Sequence, residues 1–471
     1  MVVGEVATAT EVLVIGGGPG GYAAAIRAAQ LGRQVTLVER ERVGGTCLNV
    51  GCIPSKVFIH AADLAHLPTS AAGTGVSITA AVDLGELQDH MRSVVDGLTS
   101  GVGNLLSAAG VTVVPGTARF SRANRVAVVN GDDVHHIEFD EAILATGSRP
   151  TEIPSLPFSD ERILDSTGSL FGLTGMPTSL AIVGGGYIGV ELGTAWAKFG
   201  VAVTIVEAEA GLLPGLDRRL GRTVGRRLKE LGVDVMLNTT AQTMTDTGLL
   251  VTAGDRSDGG TETVVPADRV VVCVGRRPNT DDLGLDVTDV VPDADGLIPV
   301  DGARRAGRHI LAIGDITAGP ALAHKATAEA EVAARTAAGK PAVFDPACVP
   351  AVVFSDPEVA TVGYTEAEAT AAGIQATKTV FPIGASARAR TLGPAAGQVE
   401  LISDDAGTII GAHIAGPLAS ELIGEAALAV EMAATVEDLA ATIHAHPTMS
   451  ESLAEAAHAS LGLPLHMVQR R

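Results

Sequence analysis

Short apolar runs that end in glycine, each followed by an alanine-rich stretch with helical spacing, set the rhythm of this chain. Val12-Leu13-Val14-Ile15 is the first run; Tyr22 to Leu31 then reads as a helix and Gln34 to Glu39 as a second strand. The order is strand, turn, helix, strand. It returns without a gap over Ala181 to Glu207: Gly16, Gly18, Gly21, Gly32 and Glu39 recur 168 positions later as Gly184, Gly186, Gly189, Gly200 and Glu207. The pattern predicts two copies of one nucleotide-binding unit.

Between the copies, Leu84, Leu87, Met91, Val94, Val95, Leu98, Val102, Leu105 and Leu106 keep the spacing of one helix face, which predicts a long packed helix. Asn130-Gly131, between Val126 to Val129 and Val134 to Phe139, predicts a β-hairpin, with a strand over Ala142 to Ala145 after it. Pro150 to Pro157 reads as a linker. Strand-like Val270 to Val274 ends in Gly275-Arg276-Arg277-Pro278, a second crossing point. From Cys348 the texture changes to strands (Val352 to Phe354, Val399 to Ile402) and then, from Ser420, to helices, which predicts a separate α+β domain.

At 471 residues the chain is long enough for about three domains. With 46% hydrophobic and 18% charged residues it falls on the globular side of the composition boundary. A net charge of −21 argues against nucleic acid or an anionic membrane as partner, so an anionic ligand must be held by backbone amides. Four cysteines are too few for a disulfide-stapled scaffold, which points to a reducing compartment. The N-terminal residues Met1 to Glu11 lack a signal-peptide pattern, and no glycine-free apolar run reaches the ~18 residues that span a bilayer; the expectation is a cytoplasmic protein.

Gly16-Gly17-Gly18-Pro19-Gly20-Gly21, after a strand and before a helix, fits G-x-G-x-x-G. One glycine turns tightly, one lets the backbone approach a pyrophosphate and one packs helix on sheet, while the helix N-terminus supplies the positive end. Glu39 closes the next strand, where a carboxylate can accept from both ribose hydroxyls. Gly184 to Gly189 with Glu207 repeats the set, and Glu207 favours NAD over NADP because a carboxylate repels a 2′-phosphate. Arg218, Arg219 and Arg222 could offset that repulsion, but read better as a solvated helix face.

Cys47 and Cys52 lie five residues apart in Gly44-Gly45-Thr46-Cys47-Leu48-Asn49-Val50-Gly51-Cys52-Ile53-Pro54-Ser55-Lys56. A regular helix rises about 7.5 Å over that span, beyond the roughly 4.4 to 6.8 Å between Cα atoms of a disulfide. Bridging therefore needs a distorted turn, which Gly51 permits. A dithiol in a reducing compartment is usually catalytic. Zinc is the rival, but Cys273 and Cys348 stand alone and read as packing thiols, so no metal is expected. His446 is a candidate base because histidine titrates near neutrality, and Glu451, five residues on, is a candidate to orient its ring. The other histidines read as structural.

The cysteine segment resembles the active-site segment of dihydrolipoamide dehydrogenases, within the flavoprotein pyridine-nucleotide disulfide oxidoreductase family. The same resemblance is carried by Ala145-Thr146-Gly147-Ser148-Arg149-Pro150, Gly184-Gly185-Gly186-Tyr187-Ile188-Gly189-Val190-Glu191, Gly314-Asp315 and His444-Ala445-His446-Pro447-Thr448-Met449-Ser450-Glu451. It covers nearly the whole chain, and Ser55 to His60 with the C-terminal tail is similar to the branch serving branched-chain 2-oxo acid complexes. The resemblance implies an α/β fold of two Rossmann-like domains, for FAD and NAD, plus a C-terminal α+β dimerisation domain. Its boundaries are 1–150 (FAD domain, first part), 151–278 (NAD domain), 279–347 (central, second part of the FAD domain) and 348–471 (interface).

It further implies that Gly16, Gly18, Gly21, Glu39, Lys56, Thr146, Gly147 and Asp315 bind FAD, with Asp315 on the ribityl chain. Gly184, Gly186, Tyr187, Gly189, Glu207 and Gly275 would bind NAD, and Tyr187 would cover the nicotinamide pocket. Lys56 would pair with Glu191 beside the flavin. Cys47 would exchange with substrate, Cys52 would contact the flavin, and His446 with Glu451 would face the disulfide of the other subunit in a homodimer. The activity implied is oxidation of protein-bound dihydrolipoamide by NAD+, with a lipoylated acyltransferase of a 2-oxo acid dehydrogenase complex as partner. NAD(P)H-dependent reduction of another low-molecular-weight disulfide is the alternative. A mercuric reductase would carry a C-terminal cysteine pair where this sequence has Gln469-Arg470-Arg471. His444 is expected to support or pack.

Overall fold

A computed structural model describes residues 7–254, 260–393 and 396–468; the tail Gln469-Arg470-Arg471 and the first residues of the N-terminal segment lie outside them. The chain forms two compact units. The first comprises Met1–Phe58, Gly85–Thr151 and Gly275–Asp345, the second Ile59–Leu84, Glu152–Val274 and Pro346–Arg471.

In the first unit a sheet runs in the order Thr112–Pro115, Val35–Glu39, Ala7–Ile15, Asp133–Leu144, Arg125–Asn130, Thr117–Arg122, and Ile310–Ala312 also pairs with Asp133–Leu144. Its first four strands and Ile310–Ala312 pair in parallel. Val12, Leu13 and Val14 are fully buried, which is why this strand reads as an unbroken apolar run: a parallel strand is covered on both faces. Helix Pro19–Gln30 follows the glycine turn with proline at its first position, where the missing N–H costs nothing.

Three sequence expectations shift. Asn130 pairs with Asp133, so the hairpin turns on Gly131-Asp132, with Gly131 at φ +61. The segments expected as two strands after it are one, Asp133–Leu144. Within helix Leu84–Ala108 the residues Met91, Val95 and Leu106 are buried, but Leu98 and Leu105 are 45% and 58% exposed, because the apolar stripe is wider than the face the helix packs.

The second unit repeats the parallel core as Asp234–Met236, Ala202–Val206, Ser179–Val183, Arg269–Val272 and Ile163–Leu164, beside a three-stranded antiparallel sheet of Thr239–Met244, Gly248–Ala253 and Thr261–Pro266. It also holds the expected α+β part. An antiparallel sheet runs Ala351–Val353, Val359–Gly363, Ile409–Ala415, Gln398–Asp404, Ala376–Pro382, and Phe381, Val399 and Ile414 share a core with Ile423 and Leu453 of helices Ala419–Glu431 and Glu451–Ser460. The segment read as a linker is not wholly solvated: Leu156 is fully buried with Ile163 and Val251. Among the described residues no helix is long and apolar enough to cross a membrane.

Candidate functional site

The two glycine loops match in geometry as well as in sequence. Gly16 and Gly184 have φ +100 and +108, and a Cβ on either would lie 2.3 or 2.4 Å from the carbonyl oxygen of Ala145 or Cys273. A Cβ on Gly21 or Gly189 would lie 1.8 or 1.9 Å from the oxygen of Gly16 or Gly184. These four are fixed by close approach within the fold. Gly18 and Gly186 are different. Each caps its helix in an ordinary extended conformation, and an added Cβ would meet nothing nearer than 4.0 Å at Gly18 and nothing within 4 Å at Gly186. Neither backbone strain nor internal packing demands glycine there, so the space a Cβ would fill is open to a ligand approaching the helix N-terminus. That is the fit a dinucleotide pyrophosphate requires.

The acidic strand ends are tied into these loops. Glu39 accepts from the N–H of Gly17 at 2.6 Å and of Glu41 at 2.8 Å; Glu207 accepts from Gly185 at 2.6 Å and Glu209 at 2.7 Å. Both carboxylates are thus oriented by their own loops and retain further lone pairs for ribose hydroxyls.

The dithiol loop is stitched to the first glycine loop. The N–H of Gly44 donates to the oxygen of Gly17 at 2.7 Å, and a Cβ on Gly45 would lie 2.6 Å from Cα of Gly18. Cys47 sits in the short helix Gly45–Asn49 and Cys52 opens the helix Cys52–Ser70, with the break at Val50-Gly51. A Cβ on Gly51 would stand 2.9 Å from the oxygen of Thr46, so only glycine lets the turn close on the Cys47 segment. All four cysteines are thiols in this structure. Those of Cys47 and Cys52 are hydrogen-bonded to each other. That bond, then burial, pushes the Cys47 thiol far above its ordinary value, against the pull of the Lys56 ammonium.

Asn49, which sequence reading passed over, anchors this loop. Its amide donates to the oxygens of Val43 and Gly45 at 3.1 and 3.0 Å, and its oxygen accepts from Thr99. An asparagine between two cysteines was its only signal.

Asp315 accepts from the Ser148 hydroxyl at 2.5 Å, and Arg276 donates to the hydroxyl and backbone oxygens of Ser148 at 2.7 and 2.6 Å. The expected crossings form an antiparallel ribbon, Ser148–Pro150 against Arg276–Pro278, flanked by Gly147 at φ +67 and Gly275 at φ +114. Asn279, also missed, pins it: Thr146 donates to its backbone oxygen at 2.7 Å, and its amide donates back to the oxygen of Thr146 at 3.0 Å.

In the second unit, Tyr187 opens helix Tyr187–Lys198 and is 44% exposed, while Glu191 is buried and accepts from the N–H of Phe354 at 2.9 Å. His446 Nδ1 meets Glu451 Oε1 at 2.8 Å, and Glu451 Oε2 accepts from the Thr448 N–H at 2.8 Å. Burial alone would raise the Glu451 carboxyl, but the Thr448 N–H and His446 outweigh it and hold it below its usual value. The His446 side chain is 72% exposed, so the pair presents an oriented imidazole with Nε2 as the nitrogen not engaged by Glu451. His444 packs instead: its side chain is buried between Glu425 at 2.6 Å and the oxygen of Thr442 at 2.9 Å. Cys273 is buried, with its thiol pushed up to about 12 by that burial. Among the described residues no cluster of three or more His, Cys, Asp or Glu could hold a metal.

The sequence matches the pyridine nucleotide-disulphide oxidoreductase family over residues 10–330 and that family's dimerisation domain over 349–457. The chain belongs to this family. Members similar to it include a dihydrolipoyl dehydrogenase of Halobacterium salinarum, 48% identical over 477 residues, and one of Geobacillus stearothermophilus, 48% identical over 473, each alignment covering 100% of both chains. Among solved structures of the family, LpdA from Mycobacterium tuberculosis matches with a TM-score of 0.86 at 29% identity, over 96% of this chain and 99% of that one. The HOCl-induced flavoprotein disulfide reductase RclA of Escherichia coli, as its Cu(II) complex, matches with a TM-score of 0.84 at 26% identity, over 96% and 99%.

Proposed function

We propose that this chain is a dihydrolipoamide dehydrogenase, oxidising protein-bound dihydrolipoamide to lipoamide with NAD+. The observation that carries the reading is the hydrogen-bonded pair Cys47 and Cys52 on a loop stitched to the first glycine turn. Full-length similarity to dihydrolipoyl dehydrogenases supports it. Residues 1–150 and 279–347 then hold FAD, 151–278 holds NAD+, and 348–471 forms a homodimer through the family's dimerisation domain. The physiological partner is a lipoylated acyltransferase of a 2-oxo acid dehydrogenase complex.

The oriented His446 imidazole takes the proton of one substrate thiol through Nε2, with Glu451 stabilising the imidazolium. The substrate thiolate attacks Cys47 of the oxidised pair, and Cys52 leaves as thiolate. The imidazolium returns its proton to the departing Cys47 sulfur and takes that of the second substrate thiol, which displaces Cys47 and closes the lipoamide disulfide; two electrons have moved from substrate to the enzyme pair, left as the Cys47 thiol and the Cys52 thiolate. Lys56, close enough to favour a thiolate at Cys47, lies in the helix that begins at Cys52. Bound FAD and NAD+ supply the onward transfer of that electron pair to nicotinamide. The open faces at Gly18 and Gly186 receive the two pyrophosphates, and Glu207 sets NAD+ over NADP+ by charge.

The test is turnover of the purified flavoprotein with dihydrolipoamide and NAD+ or NADP+, with Cys47→Ser and His446→Gln beside it. NAD+-selective turnover lost in both variants is expected. Wild-type protein that instead reduces another disulfide with NADPH, and leaves lipoamide untouched, overturns the reading.

A further inference from the structure

The mechanism leaves unused a set of buried charges in the first unit. Helix Ala323–Ala337 carries Lys325 and Glu329 one turn apart, 3% and 0% exposed, with their ammonium and carboxylate 3.3 Å apart. Charges buried so deeply hold something in place or cost stability. What they hold is one residue. Glu329 Oε2 accepts the N–H of Gly314 at 2.6 Å, and Lys325 Nζ donates to the carbonyl oxygen of Gly314 at 3.1 Å. Both polar groups of Gly314 are thereby fixed by one helix, at a backbone position (φ +79) that L side chains rarely adopt.

The grip is reinforced on both sides. Arg304 donates to Glu329 Oε1 at 2.8 Å, and its own backbone oxygen accepts from the N–H of Ala312, in the strand that leads to Gly314. Thr317 accepts from Lys325 at 3.2 Å and donates to the oxygen of Gly314 at 2.9 Å. The same helix touches the pyrophosphate helix: a Cβ on Gly20 would lie 3.3 Å from Cβ of Ala326, one residue after Lys325. Ala323–Ala337 therefore bears at once on the helix behind the first glycine loop and on the residue preceding Asp315.

We infer that Lys325 and Glu329 are positioning residues for the flavin: they clamp Gly314 so that the Asp315 carboxylate stands at a fixed distance from the first glycine loop, matched to the span between the ribityl chain and pyrophosphate of FAD. The inference rests on the reading of Asp315 as the ribityl acceptor, so an Asp315→Ala arm tests that separately. With the clamp released, Gly314 loses the side chains that fix its N–H and carbonyl, and the Ser148 hydroxyl is left to hold the Asp315 carboxylate against a backbone that can shift, which loosens the grip on the ribityl end of FAD.

The experiment compares holoenzymes of Lys325→Met, Glu329→Gln, Thr317→Val and Asp315→Ala with wild type. It measures the rate of FAD release by flavin fluorescence, the visible flavin spectrum at saturating FAD, and the urea midpoint of the FAD-free protein. Release at least tenfold faster in Asp315→Ala and in Lys325→Met, with an altered flavin spectrum at saturating FAD, is the expected result. Thr317→Val, which removes only one hydroxyl, is expected to release FAD about threefold faster and decides the matter if the charge variants do not fold. Release within twofold of wild type in folded Lys325→Met and Thr317→Val, while Asp315→Ala releases fast, overturns the clamp and leaves the flavin reading standing. A lowered urea midpoint with unchanged release and spectrum overturns it too, since that is the mark of a structural role alone. An Asp315→Ala protein that holds FAD like wild type removes the ribityl reading and the clamp with it.

Discussion

Glu207 turns its carboxylate back into its own loop, accepting the N–H of Gly185 at 2.6 Å while remaining only 6% exposed. Replacing it with alanine leaves that buried donor without an acceptor and removes the negative charge facing a 2′-phosphate. Hydrogen bonds to charged groups contribute about 1.5–3 kcal/mol, so Glu207→Ala is expected to raise KM for NAD+ roughly tenfold or more and to narrow the preference over NADP+. Steady-state kinetics with both nucleotides checks this; an unchanged KM for NAD+ and an unchanged preference would count against it.

In the proposed mechanism the His446–Glu451 pair acts on the thiol step alone. His446→Gln is expected to lower kcat with dihydrolipoamide by about 10²–10⁴, and Glu451→Gln by a smaller factor, since it leaves the imidazole in place without its carboxylate partner. Reduction of the enzyme by NADH in stopped flow, which needs no proton from the dithiol, is expected to keep its wild-type rate in both. A variant slow from both ends would falsify the division of labour.

The bond to Cys52, and then burial, pushes the Cys47 thiol upward from its ordinary value. Two coupled thiols lose their protons in separate steps that belong to the pair. The reduced protein is therefore expected to lose the two protons of the pair in separate steps in an ultraviolet titration at 240 nm, the Cys47 proton leaving later than that of an ordinary thiol. Cys47→Ser should lose one alkaline thiol from the titration and keep those of the buried Cys273 and of Cys348. Two thiolates appearing together near neutrality would contradict the assignment.

Asp356 receives Lys198 at 2.9 Å and Arg227 at 3.0 Å. Burial pushes its carboxyl upward, but the two cations prevail and hold it below the usual carboxylate range. A depressed value means that its contribution is complete above about pH 4, the unfolded carboxyl range, and is lost as pH falls through the folded value. Asp356→Asn is expected to cost about 1 kcal/mol at pH 7, a figure kept low because the side chain is partly solvated. In urea unfolding the gap to wild type should close as pH falls toward 3; a gap that widens in acid would exclude the ion pairs as its cause.

The two glycine loops were legible because their geometry is local. A tight turn at Gly16, a close approach at Gly21 and an open face at Gly18 are steric requirements that the residue type itself announces, and the same set at Gly184, Gly189 and Gly186 doubled the signal. Lys325 and Glu329 were not legible. A lysine four residues before a glutamate reads as an exposed helix pair, and only the packing of Ala326 on Gly20, some three hundred residues earlier in the chain, reveals that this side of the helix is interior. Leu98 and Leu105 erred the other way: apolar residues at helical spacing carry no mark of how wide a neighbour covers them. Asn49 and Asn279 are short polar residues in loops, and their worth lies in which carbonyls the turn brings to them.

The ribbon of Ser148–Pro150 and Arg276–Pro278 brings Thr151 within a 3.0 Å hydrogen bond of Gly275, so the whole of 152–274 leaves and returns at one spot. On the ribosome this arrangement imposes an order. The strand Ile310–Ala312, which seats itself beside Asp133–Leu144, and Asp315 just after it are synthesised only when the intervening nucleotide unit has already emerged. The half-finished sheet must wait with an open edge, and the first glycine loop is made long before the strand and the helix Ala323–Ala337 that complete the packing around it.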